Sequence, residues 1–242
     1  LIWTIDPDLL EDPNRHYSGP NPLSADRLKS EEARRSRYIH SLADRIHTAL
    51  GKEWNAILEI GSGAGGLFLA LAARGFEMEG IEPSPSLHEM ALNQGVPVDR
   101  LYQLPLKSTT SRLRRQVYDV VLAIDVIEHF PDPWELPRFA AEHLGAGGLF
   151  LLQTPNAGSL RRRVQKTGWE QLAPGEHHVL HTVTSLSHLL SRTGFRVRDL
   201  KSISGGALDS ERRSFWMGPL FEILRLAGWG NALWCVAERT DS

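Results

Sequence analysis

The chain has 242 residues, 41% hydrophobic and 23% charged, the composition of a globular domain, which excludes a disordered or collagen-like chain. Twenty-seven Lys and Arg against twenty-nine Asp and Glu leave a formal net charge of −2, so no overall positive field draws the chain to nucleic acid or anionic lipid. A single cysteine, Cys235, excludes an intrachain disulfide, a four-cysteine zinc site and Cys-x-x-Cys redox chemistry, and a reducing, cytoplasmic setting is expected.

No apolar run approaches the ~20 residues that span a bilayer, and the N-terminus lacks the basic-then-apolar layout of a signal peptide, so no stable membrane insertion is expected. The first residue is Leu rather than Met, so the natural start is expected upstream. Pro7, Pro13, Pro20 and Pro22 make the segment to Leu23 an irregular strap. From Ser24 or Ser30 to Leu50, Tyr38, Ile39, Leu42, Ile46 and Leu50 recur at helical spacing, and Gly51 stops an amphipathic helix. Short apolar runs then alternate with helical stretches. Ala56–Ile60, Glu77–Ile81, Tyr118–Ile124 and Leu149–Leu152 read as strands, and Leu67–Ala73, Ser86–Asn93, Asp132–Leu144 and Ser185–Ser191 as helices. Phe195–Ile203 and Ala232–Glu238 read as closing strands. This alternation requires crossovers, which make a doubly wound α/β fold with a mostly parallel sheet. A single domain is expected over 1–242: strap and helix to 51, a ligand-binding core over 56–154, and substrate-facing additions over 155–183 and 205–231, which are too long for plain connections.

Ile57-Leu58-Glu59-Ile60-Gly61-Ser62-Gly63-Ala64-Gly65-Gly66-Leu67 is an apolar strand running into glycines and then a helix. Glycines permit the tight turn and let a ligand approach the backbone, while free amides at the helix start offer hydrogen bonds. Gly61, Gly63 and Gly66 also satisfy the dinucleotide pattern, which keeps an NAD(P)-dependent oxidoreductase open. Glu59 counts against it, because a carboxylate there repels a pyrophosphate and attracts a cationic amino group. Glu82 ends the next strand about 20 residues on, where a ribose-binding acid belongs.

Glu59-x-Gly61-x-Gly63-x-Gly65, Glu82 and the block Asp119 to Pro133 containing Asp125-Val-Ile-Glu128-His129 together resemble the class I S-adenosylmethionine-dependent methyltransferases. The nearest branch holds the ubiquinone-biosynthesis O-methyltransferases, and the similarity covers about 56–154 and resumes from Pro174 to Phe195. It implies a Rossmann-like methyltransferase fold with a seven-stranded, mostly parallel sheet and helical additions. It implies S-adenosyl-L-methionine as cofactor and a small-molecule methyl acceptor, with no nucleic-acid partner. Gly61, Ser62, Gly63 and Gly65 then lie against the methionine part, Glu82 holds the ribose and Asp125 stands near the reaction centre. Relatives often carry an acid before a Leu-Pro pair to bind adenine. Here Leu101-Tyr102-Gln103 precede Leu104-Pro105, which leaves Tyr102, Gln103 or backbone for that contact.

Methyl transfer from a sulfonium needs alignment and exclusion of water more than acid–base groups, but a hydroxyl acceptor must lose its proton. Histidine is the natural base, and His129, His177, His178 and His181 are candidates, with His129, His177 and His178 placed as catalytic. The run Glu176-His177-His178-x-x-His181 also has metal-ligand residue types. Adjacent histidines point apart in an extended segment, so no metal is expected. Arginine clusters at 34–37, 112–115 and 161–166 read as solvated helix faces, although the last, in an addition, leaves an acidic acceptor open. Trp169, Trp216 and Trp229 serve an acceptor pocket or the core. Pro219–Leu226 with Trp229 reads as a cover for the site rather than a membrane contact. Oxygen is the expected acceptor atom, with nitrogen and carbon open. A non-catalytic cofactor-binding partner protein is the remaining alternative.

Overall fold

A computed structural model describes residues 25–50, 54–173, 175–203 and 228–240. The strap and most of the 205–231 addition, with Trp216 and Pro219–Leu226, lie outside the described residues. In chain order the elements are α1 (Ala25–Leu50), β1 (Ala56–Ile60), α2 (Gly66–Ala72), β2 (Glu77–Ile81), α3 (Pro85–Asn93), β3 (Leu101–Tyr102), α4 (Leu106–Thr109), β4 (Tyr118–Ile124), α5 (Glu135–His143), β5 (Leu144–Pro155), α6 (Leu160–Gln165), α7 (Val183–Ser191), β6 (Phe195–Ile203) and β7 (Ala232–Arg239).

Seven strands form one sheet in the order β3-β2-β1-β4-β5-β7-β6. The pairs from β3 across to β5 are parallel, and β7 runs antiparallel to both β5 and β6. The expected doubly wound, mostly parallel sheet is therefore what forms. Its central strands are covered on both faces, which is why they read as apolar runs and not as alternating patterns. Leu58, Ile60, Val121, Ala123, Phe150 and Leu152 pack with Leu136 and Phe139 of α5 and Leu186 and Leu190 of α7. On the other face Ile57, Val120, Leu122, Leu149 and Leu151 pack with Leu42 and Ile46 of α1 and Phe68 and Leu71 of α2. Cys235 belongs to the first layer, buried as an apolar residue. Trp169 is buried, at 2% exposed, within the 155–183 addition.

Several elements, α2, α3, α7 and β7 among them, differ from their expected limits by one or two residues, and β5 and α5 differ by more. β5 begins at Leu144, not Leu149, because the Tyr118–Leu144 pair adds a rung before a register shift that the apolar pattern of Gly145-Ala146-Gly147-Gly148 does not signal. α5 starts at Glu135, since residues 132–134 form a turn in which the Asp132 carboxylate accepts from the Trp134 amide at 3.0 Å. β3, two residues long, was not anticipated. Strand order turns outward in both directions from β1 and β4, and the crevice beyond their carboxyl ends is where an open α/β sheet binds ligands.

Candidate active site

The glycine loop leaves β1 at that switch point. Gly61, at φ 74°, packs so closely that a Cβ would lie 2.5 Å from Cγ2 of Val126, the residue after Asp125. Gly63, at φ 54°, has the opposite surroundings: no atom lies within 4 Å of where its Cβ would stand. One glycine thus holds the loop against the end of β4 and the other leaves a cradle open. Neither position admits an L side chain without strain.

Two buried carboxyls flank the loop. Glu82 is 5% exposed, and its Oε2 accepts from the Gly63 amide at 2.7 Å and its Oε1 from the Ser84 amide at 2.9 Å. Burial raises its pKa, and those two amides oppose the rise. With two of about four lone-pair sites used, the group keeps acceptor capacity for a pair of hydroxyls. Glu59 is 3% exposed and its Oε2 has no partner. Burial first, and then nearby Glu82, push its pKa up to about 8, against a Ser62 hydrogen bond that lowers it. An unliganded Glu59 is therefore mostly protonated at neutral pH. A cation brought against Oε2 would supply the missing partner and favour ionisation. The orphaned Glu59 oxygen, the Gly63 cradle and the Glu82 acceptors fit an amino-acid-bearing nucleoside; of the three, the Glu59 carboxyl is the one that does not suit a pyrophosphate.

Tyr102 is committed elsewhere: its hydroxyl donates to Glu79 Oε2 at 2.8 Å and accepts from the Arg114 amide at 3.1 Å. That removes its hydroxyl from the adenine candidates and leaves backbone or exposed Gln103, just past β3. Asp125 adopts φ 54°, a left-handed conformation unusual for a non-glycine residue and of the kind found at ligand sites. Its amide donates to the Gln153 carbonyl at 2.9 Å, and burial raises its carboxyl to about 6, opposed by the Gln153 side chain.

The histidines separate. His129 closes a 3-10 turn, Ile127–His129, and its Nδ1 lies 2.9 Å from the Glu176 carbonyl oxygen. His177 Nδ1 lies 2.8 Å from the Gln171 carbonyl oxygen. Each carbonyl can only accept, so each Nδ1 is the protonated nitrogen and each Nε2 carries the lone pair. The rings meet edge to face at 4.8 Å between centroids. Burial, and then His177, lower the pKa of His129. His178 shares a downward shift from burial, but only its backbone is held here, by the Glu128 carbonyl at 2.8 Å. His181 stands apart, 1% exposed with neither ring nitrogen partnered, and burial lowers it to about 4. It lines a separate cavity of about 300 Å³ with Pro133, Trp134 and Leu189.

Glu128 was absent from the expected site residues. It is fully buried, its Oε2 accepts from Thr154 Oγ1 at 2.9 Å and its Oε1 has no partner. Burial, and then Asp125, raise its carboxyl to about 8. Glu128, His129 and His177 each present a ligand atom within 4.8 Å of the others. This group draws on two distant chain segments and takes only His177 from the histidine run. The spacing Glu128-His129 on one turn was the available signal.

The methyltransferase domain model matches residues 32–200, more than half of the chain. The ubiquinone biosynthesis O-methyltransferase of Proteus mirabilis is 28% identical over 158 residues, 64% of this chain, which spans 58% of that protein's length. An S-adenosylmethionine-dependent methyltransferase from Mesorhizobium loti superposes with a TM-score of 0.59 at 19% identity, over 81% of this chain and 96% of that one. Magnesium protoporphyrin IX methyltransferase from Synechocystis PCC 6803, solved with SAH bound, gives 0.60 at 16% identity over 93% and 92%. The chain belongs to the methyltransferase domain family, and its fold is that of the S-adenosylmethionine-dependent methyltransferases.

Proposed function

We propose that the chain is an S-adenosylmethionine-dependent methyltransferase acting on a hydroxyl oxygen of a small molecule. The cofactor, when bound, supplies an electrophilic methyl group on a sulfonium. Gly61, Ser62, Gly63 and Gly65 present backbone to its amino-acid part, Glu59 faces the ammonium, Glu82 accepts from the ribose and Gln103 borders the adenine. Asp125 stands at the carboxyl end of β4 beside the reaction centre.

The observation that carries the oxygen reading is the His129–His177 pair, whose Nδ1–H groups are both spent on backbone carbonyls. An Nε2 lone pair is what a hydroxyl proton needs, and the lowered pKa of His129 keeps that ring neutral at pH 7. His129 or His177 takes the proton at Nε2 as the acceptor oxygen gains its methyl. The resemblance to ubiquinone-biosynthesis O-methyltransferases supports the same acceptor atom. His178, outside the pair, is assigned to orienting the acceptor.

The test is transfer of labelled methyl from S-adenosylmethionine to a panel of phenols, catechols and amines. Phenolic or catechol oxygens are expected to be labelled, and alanine at His129 or His177 to lower kcat by about 100-fold or more. Label on amines alone would refute oxygen transfer, and tight NADH binding without S-adenosylhomocysteine binding would refute the methyltransferase reading.

The unpartnered Glu128 Oε1 beside two imidazoles favours a second reading, in which a divalent cation rather than a free imidazole handles the acceptor oxygen. Rates before and after exhaustive chelation separate the two: the histidine-base reading predicts no change.

A further inference from the structure

The cavity of about 300 Å³ that His181 lines shares no residue with the glycine loop, Glu82, Asp125 or the His129–His177 pair. It lies between the turn ahead of α5, which contributes Pro133 and Trp134, and the start of α7. Buried His181 and Leu189 mark its deep end, and exposed Thr184 and His188 its mouth. Arg138 lies over the Trp134 ring, 5.8 Å from its centroid, and steadies that wall. The volume is at the small end of ligand sites, and the lining has their character, apolar surface with a few polar groups.

Two features select what can enter. Among the described residues no Lys, Arg, Asp or Glu lines the cavity, so no carboxylate, ammonium or guanidinium is there to answer an ionic ligand. The His181 ring, neutral at pH 7 because burial lowers its pKa to about 4, has neither nitrogen hydrogen-bonded among the described residues. A neutral imidazole carries one N–H and one lone pair, and leaving both unmet in a side chain only 1% exposed is costly. The neighbouring hydroxyls of Thr182 and Ser185 are spent in the capping box of α7. The segment that carries the ring is fixed as well, with the His181 carbonyl accepting from the Ala157 amide at 2.8 Å. A hydroxyl answers either tautomer of that ring, since it can donate to the lone pair or accept from the N–H.

We propose that this cavity is a second small-molecule site, which takes an uncharged aromatic alcohol with its ring against Trp134, Pro133 and Leu189 and its hydroxyl on the His181 imidazole. Contact of the aromatic ring with the apolar wall supplies the binding free energy, and His181 selects for the hydroxyl. The site stands whichever reaction the crevice at β1 and β4 performs.

The experiment is an NMR titration of the isotope-labelled full chain with two probes of the same shape, benzyl alcohol and ethylbenzene, in which a hydroxyl stands against a methyl. Both are expected to shift signals of Trp134 and Leu189, and only benzyl alcohol those of the His181 ring nitrogens. The affinity ratio of benzyl alcohol to ethylbenzene should fall about fivefold in His181→Phe, a comparison in which the different hydration of the probes cancels. Thr184→Trp, at the exposed mouth, should weaken both probes alike. Wild-type protein that binds neither probe, or whose His181 ring responds equally to both, overturns the proposal, and this readout holds even if His181→Phe does not fold. An unchanged ratio in a folded His181→Phe overturns it too, by showing the ring to be merely hydrated. Displacement of the probes by S-adenosylhomocysteine would place them in the cofactor crevice and overturn it as well.

Discussion

Glu59 shows how a single side chain carries both a cost and, in the proposed function, a role in binding. In the folded protein its pKa lies near 8, whereas an exposed glutamate titrates near 4.5. The native state thus holds a proton that the unfolded chain has released, so the stability this group contributes is fully present below pH 4.5 and is lost as pH rises through 8. Replacing it with Gln removes that titration while keeping the shape. The unliganded Glu59→Gln variant is expected to melt above the wild type at pH 8.5, with the gap closing toward pH 5 in calorimetry. Glu128 has the same direction of shift but is present in both proteins, so its contribution cancels from the comparison. The same substitution should weaken S-adenosylhomocysteine about tenfold, since a neutral amide cannot answer an ammonium as a carboxylate does. A variant that melts with the wild type at every pH would show Glu59 to be solvated. Its place at the end of β1 was legible in the sequence. Its protonation was not, because that depends on how completely the loop and neighbouring strands exclude water.

At the scale of elements, the strands were legible where both faces are covered. Val120 to Ala123 and Leu149 to Leu152 are continuous apolar runs, Ile57 to Ile60 is one broken only by Glu59, and alternate apolar residues serve opposite layers of the core. Leu151, in the middle of β5 between parallel β4 and antiparallel β7, is fully buried. Leu151→Ala should cost ~2–5 kcal/mol in denaturant unfolding, while cofactor affinity measured well below the transition is unchanged. A cost under ~1 kcal/mol would mean that this layer repacks freely. Connections were less legible than strands. The segment between β5 and α7 returns to the turn after β4 through two amides, those of His178 and Val179, which both donate to the Glu128 carbonyl. That return sets His177 against His129, a pairing of residues 48 positions apart by number that no local spacing encodes. Tyr38 was likewise read only as part of an apolar helical stripe. Its hydroxyl acquires meaning once α1 lies against the end of β5.

Over the whole molecule, several of the surface cations among the described residues are paired locally. Arg114 pairs with Asp99, Arg115 with Glu77, and Arg161 with Glu170 at 3.1 Å, so these cationic runs meet acids on the surface. Such exposed pairs add little stability, and their effect here is to disperse charge. No helix among the described residues is long and apolar enough to cross a membrane. In the proposed function the weight falls on the switch point between β1 and β4, where the glycine loop, Glu59, Glu82 and Asp125 lie near the end of β5. The most direct measurement of that arrangement is a calorimetric titration of S-adenosylhomocysteine and, in parallel, NADH into the wild type and Glu82→Ala. Binding of S-adenosylhomocysteine but not NADH by the wild type is predicted, with affinity reduced at least tenfold in Glu82→Ala as the ribose loses its charged acceptor. Unchanged affinity in that variant, or a wild type that prefers NADH, would contradict the account.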